Sequence, residues 1–500
     1  MNLSKTISIW PSTASVPTYT SLKENKQCDV CIIGAGITGI TTAYLIALEG
    51  KKVIVLDDGE IAGGETQRTT AHITCVIDDR YHEIESMHGE INSRLAAESQ
   101  NEAINTIEKI IEKENINCDF KRVDGFLFFK PDDNSDLKEY HACIKAGVDV
   151  ELAGSPLPGF KNFNTLKFPQ QAQFHILKYI SALSTAIIRM NGEIYTNTFV
   201  NEINDGDIVD IKTKEGNSVR TRDAVIATNS PISDFFSIHT KQAAYRTYVI
   251  GVRISKDSVI EALYWDTEDP YHYIRLFKEE QTDILIVGGE DHKTGQEEDP
   301  EERFLNLEKW ARDHFENLGE VIYRWSGQVM EPVDGLSFIG KDPENSKHVY
   351  VATGDSGMGM THGTFSGLII RDLILGRENK WAELYRPGRF TLKATGEFLK
   401  EGANLVSQYL DLVTAGDVSD LSNIPKDSGA IIRAGLDKVA VYVDINGDVY
   451  KYSAFCPHLK CILQWNSVEK SWDCPCHGSR FDKFGKVLNG PAISDMKKVE

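Results

Sequence analysis

The run DVCIIGAGITGITTAYLIALEGKKVIVLDD, from Asp29 to Asp58, leaves little choice of fold for the chain around it. Val30 to Ile33 is a short apolar run of the kind buried in a parallel sheet. Gly34, Gly36 and Gly39 follow in a G-x-G-x-x-G spacing, Thr41 to Glu49 continues as an apolar helix, and Lys52 to Asp58 reads as a second strand. The glycines permit a tight turn and let a pyrophosphate approach the helix N-terminus, where unpaired N–H groups and the helix dipole favour an anion. Asp57, 23 residues beyond Gly34, stands where a ribose-binding carboxylate belongs. Strand, turn, helix, strand and acid in that order predict a dinucleotide-binding unit, without saying which dinucleotide.

At 500 residues the chain exceeds one ordinary core, so roughly two to four domains are expected. Its 54 basic against 74 acidic residues give a net charge of −20, which disfavours nucleic acid or an anionic membrane surface as partner. The first 27 residues hold no apolar signal core and no stretch approaches 18 apolar residues, so neither secretion nor a membrane span is expected and the location expected is cytoplasmic. Cys28, Cys31, Cys75, Cys118 and Cys143 are scattered, unlike the cysteines of a secreted disulfide scaffold.

The other four cysteines crowd the C-terminal end, in CPHLKC (residues 456 to 461) and CPCHGSRFD (residues 474 to 482). Two thiolates and two imidazoles suit zinc in number, but zinc leaves two further cysteines unexplained. A [2Fe–2S] cluster with two Cys on one iron and two His on the other accounts for the set better. The segment resembles Rieske ferredoxin domains, whose signature is C-x-H-x-x-C followed by C-x-C-H-G. That resemblance implies Cys456, His458, Cys474 and His477 as ligands, and Cys461 with Cys476 as a disulfide bracing the two loops. It matches Ser479 to a hydroxyl donor and sets Phe481 where high-potential members carry Tyr, which implies an intermediate potential within about −150 to +300 mV. Gly490 to Ala492, GPA, resembles the family's proline loop and reads equally as an ordinary turn.

Three further segments identify the nucleotide. GGETQRTTAHIT (63 to 74), DAVIATNSP (223 to 231) and HVYVATGDSGMGMTHGTFSGLIIRDLILG (348 to 376) resemble, in this order, the FAD-binding elements of the D-amino-acid oxidase and glycine oxidase family. The resemblance implies that FAD is held by Gly64, Thr66, Arg68 and Thr69, by Ala227 and Thr228, and by Gly354, Gly357 and Gly359, besides the first glycines. It implies a non-covalent flavin, since residues 348 to 376 contain no Cys and Arg68 stands where covalent members carry His, with His72 four residues on.

The fold class expected is therefore an α/β (α+β) FAD-binding Rossmann-type domain with an inserted, sheet-containing substrate domain, followed by a small all-β Rieske domain. Residues 1–28 form an N-terminal arm and 29–385 the oxidoreductase. Within it, FAD-binding segments cover about 29–90, 166–235 and 325–380, the last re-entered through RWSGQVMEPVDGLSFIG, and strand-rich substrate segments cover about 91–165 and 236–324. Residues 386–416 form a helical linker, with Phe398, Leu399, Leu405, Val406, Tyr409, Leu410 and Val413 at helical spacing. Residues 417–500 form the Rieske domain, opening with a hairpin turned at Asn446-Gly447.

Such a chain is expected to oxidise an amine or amino acid by hydride transfer to FAD and to pass electrons singly through the cluster to an external acceptor, a protein or a quinone. With no second G-x-G-x-x-G in the sequence, electrons are expected from an organic substrate and not from a nicotinamide. DTEDPYHYIR supplies the catalytic candidates: Arg275 to bind a substrate carboxylate, and Tyr271 or Tyr273 to hydrogen-bond it. His362 and His72 are candidates for tuning the flavin or touching substrate. Two other readings stand beside this one, a non-catalytic redox carrier or sensor and a Rieske oxygenase. The latter finds its nearest iron motif in Asp79, His82 and His88, one residue too long between the histidines.

Overall fold

The computed structural model of the chain describes residues 6–232, 236–297, 299–343, 346–394, 396, 400–404, 408, 416–418, 420–435 and 437–499. Its first layer grows from the glycine-rich unit. Lys26–Ile33 lies between Val53–Leu56 and Ser218–Ile226, parallel to both. Glu193–Tyr195 and Val349–Thr353 extend the sheet in parallel on either side, and Phe338–Lys341 closes one edge antiparallel. Strands covered on both faces must be apolar throughout, and Val53–Leu56 and Val349–Thr353 are buried at every position. Helices Ile37–Leu48 and Gly359–Ile374 pack against each other beside this sheet.

A second, mixed sheet is inserted between these segments. Among the described residues it runs from Val321–Pro332 through Gln242–Ile254, Asp283–Lys293, His272–Lys278, Leu263–Asp266 and Lys121–Phe129 to Asn164–Gln173 and His72–Ile73. Three expected boundaries move as a result. Val321–Pro332 pairs along its length with Gln242–Ile254, so the chain returns to the first layer only at Phe338 and not at 325. Residues 166–173 belong to the second sheet through Asn164–Gln173, which pairs with Lys121–Phe129. Residues 91–114 form no strand: Glu90–Glu114 is a helix against Gly359–Ile374, its buried Ala96, Ala103, Ile107 and Ile110 recurring at helical spacing.

The N-terminal arm is tied down. Trp10, fully buried, donates through Nε1 to the Thr69 carbonyl at 2.7 Å, and the Ser8 hydroxyl donates to the Gln67 carbonyl at 2.6 Å. At the other end, Ser428–Ala434, Asp437–Val443 and Val449–Ser453 form one antiparallel sheet, and Gln464–Asn466, Ser471–Asp473, Arg480–Asp482 and Val487–Asn489 a second. The hairpin between Asp437–Val443 and Val449–Ser453 turns through Gly447 at a φ of 100°. Of the expected linker helix, residues 400–404 are helical, while Phe398, Leu399, Leu405, Val406, Tyr409, Leu410 and Val413 lie outside the described residues. Among the described residues no helix is long and apolar enough to cross a membrane.

Candidate functional site

A cavity runs from the glycine-rich turn to the second sheet. Gly34 holds a φ of 105°, and a Cβ there would collide with the Ala227 carbonyl; a Cβ on Gly39 would collide with the carbonyl of Gly34. Strand end, helix start and the Ala227-Thr228 turn are thus in backbone contact. Asp57 accepts from the Ala35 N–H at 2.6 Å and the Gly59 N–H at 2.9 Å, while burial and neighbouring Asp58 push its carboxyl up to about 6. Thr66 Oγ1 accepts from the Ile37 N–H at 3.0 Å.

Gly34, Gly36, Asp57, Ala227 and Thr228 line one end of the cavity. Gly64, Thr66, Arg68, Thr69, Gly357 and Gly359 line it as well. Gly39 and Gly354 do not. The first serves helix packing, and Gly354 turns the chain at a φ of 75° with its Cβ position against Pro332. FAD fits this site. A cradle bare of Cβ atoms opens at the N-terminus of a twelve-residue helix, and His362, 4% exposed in the cavity wall, has a buried Nε2 with no hydrogen-bond partner. Burial holds the His362 imidazole down to about 4, so the ring is neutral.

The second sheet supplies the other end through Thr247, Trp265, Tyr271 and Tyr273, joined by Asp78 and Asp355. The Tyr273 hydroxyl lies 2.7 Å from Thr247 Oγ1. Arg275 is placed otherwise than expected. It follows Tyr273 on the same face of His272–Lys278, but its guanidinium turns away from the cavity and donates to the carbonyls of Thr70 and Ala71, both at 2.9 Å, and of Phe174 at 3.4 Å. Its Nη1 is taken by carbonyls and the residue stands outside the cavity lining, so it offers no fork to a substrate carboxylate there. His72 lines the cavity with both ring nitrogens engaged, one 2.9 Å from Thr70 Oγ1 and the other 3.3 Å from the Ile274 carbonyl; burial and Arg275 lower it to about 3. Asp78, Asp355, Thr247 and Trp265 carry no local sequence signal, because only the tertiary fold brings them together: Thr247 and Trp265 from strands of the second sheet, Asp78 and Asp355 from connecting segments.

In the C-terminal domain, Cys456 and Cys474 are buried side by side, and the rings of His458 and His477 lie 5.1 Å apart at 82°. Both nitrogens of His477 are buried without a hydrogen-bond partner, the condition of a ligand. Cys461 and Cys476 are joined in a disulfide, their Cα atoms 6.4 Å apart. Ser479 is fully buried, bonds the Cys456 thiol and accepts from the Ala492 N–H at 3.0 Å. The chemistry of two thiols and two imidazoles fits a Rieske [2Fe–2S] cluster. By contrast, Asp79, His82 and His88 assemble no iron site: Asp79 bonds Ser356, His82 lies 2.7 Å from Glu139, and His88 lies 2.7 Å from the Asp334 carbonyl.

The two cofactor sites face one another. Val487 to Gly490 and Ala492 line the cavity, the Asn489 amide donates to Glu65 at 3.1 Å, and Gln328 donates to the Gly478 carbonyl at 3.0 Å. His239 of the oxidoreductase part lies 5.2 Å from the His458 ring and 6.1 Å from that of His477. Glu469, 5% exposed, accepts from Ser326 and pairs with Arg68 at 3.4 Å and Arg246 at 3.5 Å. Burial opposes its charge, but Arg68, Arg246 and Arg480 overcome it and hold the carboxyl down to about 2.

A model of the FAD dependent oxidoreductase family matches residues 29–373, and one of the Rieske [2Fe-2S] domain matches residues 413–500. The chain therefore belongs to the FAD dependent oxidoreductase family and carries a C-terminal Rieske domain; FAD and a [2Fe-2S] cluster are its cofactors. It is 29% identical over 98% of its length to 97% of a Bacillus subtilis protein, YhfW, described as a Rieske 2Fe-2S iron-sulfur protein. The gamma-glutamylputrescine oxidoreductase of Escherichia coli is 24% identical, over 72% of this chain and 86% of that one. In structure, the glycine oxidase of Geobacillus kaustophilus matches 73% of this chain with 100% of its own, at a TM-score of 0.62 and 18% identity, a likeness of fold.

Proposed function

We propose that the chain is a cytoplasmic dehydrogenase that oxidises an amine or amino acid and hands the electrons singly, through its Rieske cluster, to an external protein or quinone. When bound, FAD supplies the two-electron sink: a C–H bond beside nitrogen breaks with its electron pair, the nitrogen sheds a proton, and a C=N bond forms that water hydrolyses. The chain's part is to hold and shield. Gly34 and Gly36 let a pyrophosphate reach the helix N-terminus, Tyr271, Tyr273 and Thr247 present hydroxyls at the substrate end, and neutral His362 stands in the cavity wall. Cys456, His458, Cys474 and His477 are the proposed ligands, and the helical linker is assigned to residues 386–416.

One observation carries the relay. Val487 to Gly490 and Ala492 line the cavity, and the Ala492 N–H bonds Ser479, itself bonded to the Cys456 thiol, so a single segment touches both sites. The amine and amino-acid activities in the names of the relatives support the substrate class. Anaerobic titration with a panel of amines and amino acids tests the reading: a member of the panel bleaches the flavin and then brings up the reduced-cluster EPR signal. A flavin that no panel member reduces defeats it.

A further inference from the structure

The substrate end of the cavity is acidic and short of positive charge. Asp78 and Asp355 line it, and the Tyr271 hydroxyl donates to Asp78 at 3.5 Å. Behind Thr247 lies Asp291, whose Oδ1 is buried with no hydrogen-bond partner. Ser356 Oγ lies 3.0 Å from Asp79 and 2.5 Å from Glu331; burial and then Asp79 push the Glu331 carboxyl well above the usual carboxylate range. The positive charges acting on this group are committed elsewhere. Arg80 donates to the Asp266 carbonyl at 3.1 Å, and Arg303 is ion-paired with Glu297. Among the described residues lining the cavity there is no lysine, and the one arginine, Arg68, is held by the Ser326 carbonyl at 2.7 Å and by Glu469.

A substrate carboxylate entering here meets Asp78 and no free cation, whereas an ammonium meets the charge the site lacks. Burial raises Asp78 and Asp291 to about 7 and Asp355 to about 6, so an arriving cation brings them into their charged form. Two features point independently to a ligand. His362 lines the same cavity at 4% exposure, its buried Nε2 without a hydrogen-bond partner. The rings of Tyr271 and Tyr273 lie 5.6 Å apart at 36°, with Trp265 beside them in the lining, and such faces attract cations.

We propose, resting on the amine-oxidising reading above, that the substrate is a dicationic amine: one nitrogen sits on the carbon that is oxidised, and a second ammonium is held by Asp78 against Tyr271 and Tyr273. No carboxylate is required.

The test compares three five-carbon probes on the holoenzyme under anaerobic conditions: cadaverine, pentylamine and norvaline. Cadaverine is expected to reduce the flavin with a kcat/KM about tenfold or more above pentylamine, and norvaline to be the poorest of the three. In Asp78→Asn the cadaverine-to-pentylamine ratio falls about tenfold, through KM more than kcat, and Asp78→Glu restores part of it. A reading that needs no variant and no turnover is calorimetry with hexamethonium, a dication that cannot be oxidised, which binds the parent protein. Preference for norvaline, or an unchanged ratio in an Asp78→Asn protein that keeps its FAD, or no binding of hexamethonium, overturns the dication while amine oxidation stands. If none of the amines or amino acids bleaches the flavin, both proposals fall.

Discussion

Glu469 is the residue on which the seating of the two parts turns, since it belongs to the Rieske domain and is neutralised by Arg68 and Arg246 from the other side. Its carboxyl is held at about 2 when folded, against about 4.3 in an unfolded chain, so its contribution is fully present above pH about 4.3 and is lost as pH falls through about 2. That contribution is about 3 kcal/mol. Thermal unfolding followed from pH 6 downwards is expected to show this acid-side loss in the parent protein, and Glu469→Gln to lack it while starting about 3 to 5 kcal/mol less stable, because the buried Arg246 guanidinium loses its counter-charge. His477→Ala is expected to lose iron and labile sulfide while keeping FAD, by metal analysis and absorbance of the purified protein. The proposed cluster ligands stand out in the sequence because two segments of nine residues or fewer contain them all, and spacing within a segment is a local property. Arg275 misled because its strand alternation was readable but its depth was not: two residues beyond Tyr273 the same face has left the cavity for the carbonyls of Thr70 and Ala71.

At the scale of elements, the glycine-rich turn is a three-way contact among Lys26–Ile33, Ile37–Leu48 and the end of Ser218–Ile226. Gly39→Ala forces the helix off the strand, since its Cβ has no space beside the Gly34 carbonyl. The expected outcome is a chain that folds its Rieske domain, retains cluster absorbance and is purified without yellow flavin; a variant with full FAD content would refute this account of the turn. The turn was readable from sequence because its strand, glycines and helix are contiguous. The sheets were less so. Val321–Pro332 and Gln242–Ile254 pair across some eighty residues, and nothing within either segment states which sheet its apolar face completes. For the same reason Asp78 passed unnoticed, as it becomes a cavity wall only once the fold brings Tyr271 to it.

In the whole molecule, flavin and cluster sites share a wall, and the consequences are testable on the intact chain. His458→Ala is expected to leave flavin bleaching by substrate intact and to abolish reduction of an external one-electron acceptor in stopped-flow; turnover at the parental rate would show that the cluster carries no electrons. Acid precipitation is expected to leave the yellow colour in the supernatant, since both ring nitrogens of His72 are hydrogen-bonded within the protein. The loop Val487 to Ala492 has one more implication, for cofactor exchange. Since it forms part of the cavity wall, it is placed to act as a latch: exchange of bound FAD is expected to be faster when the C-terminal domain lifts. The rate at which bound flavin trades with labelled FAD in solution is thus a clock for the lifting, and loosening the latch through Glu469→Gln should make it run faster.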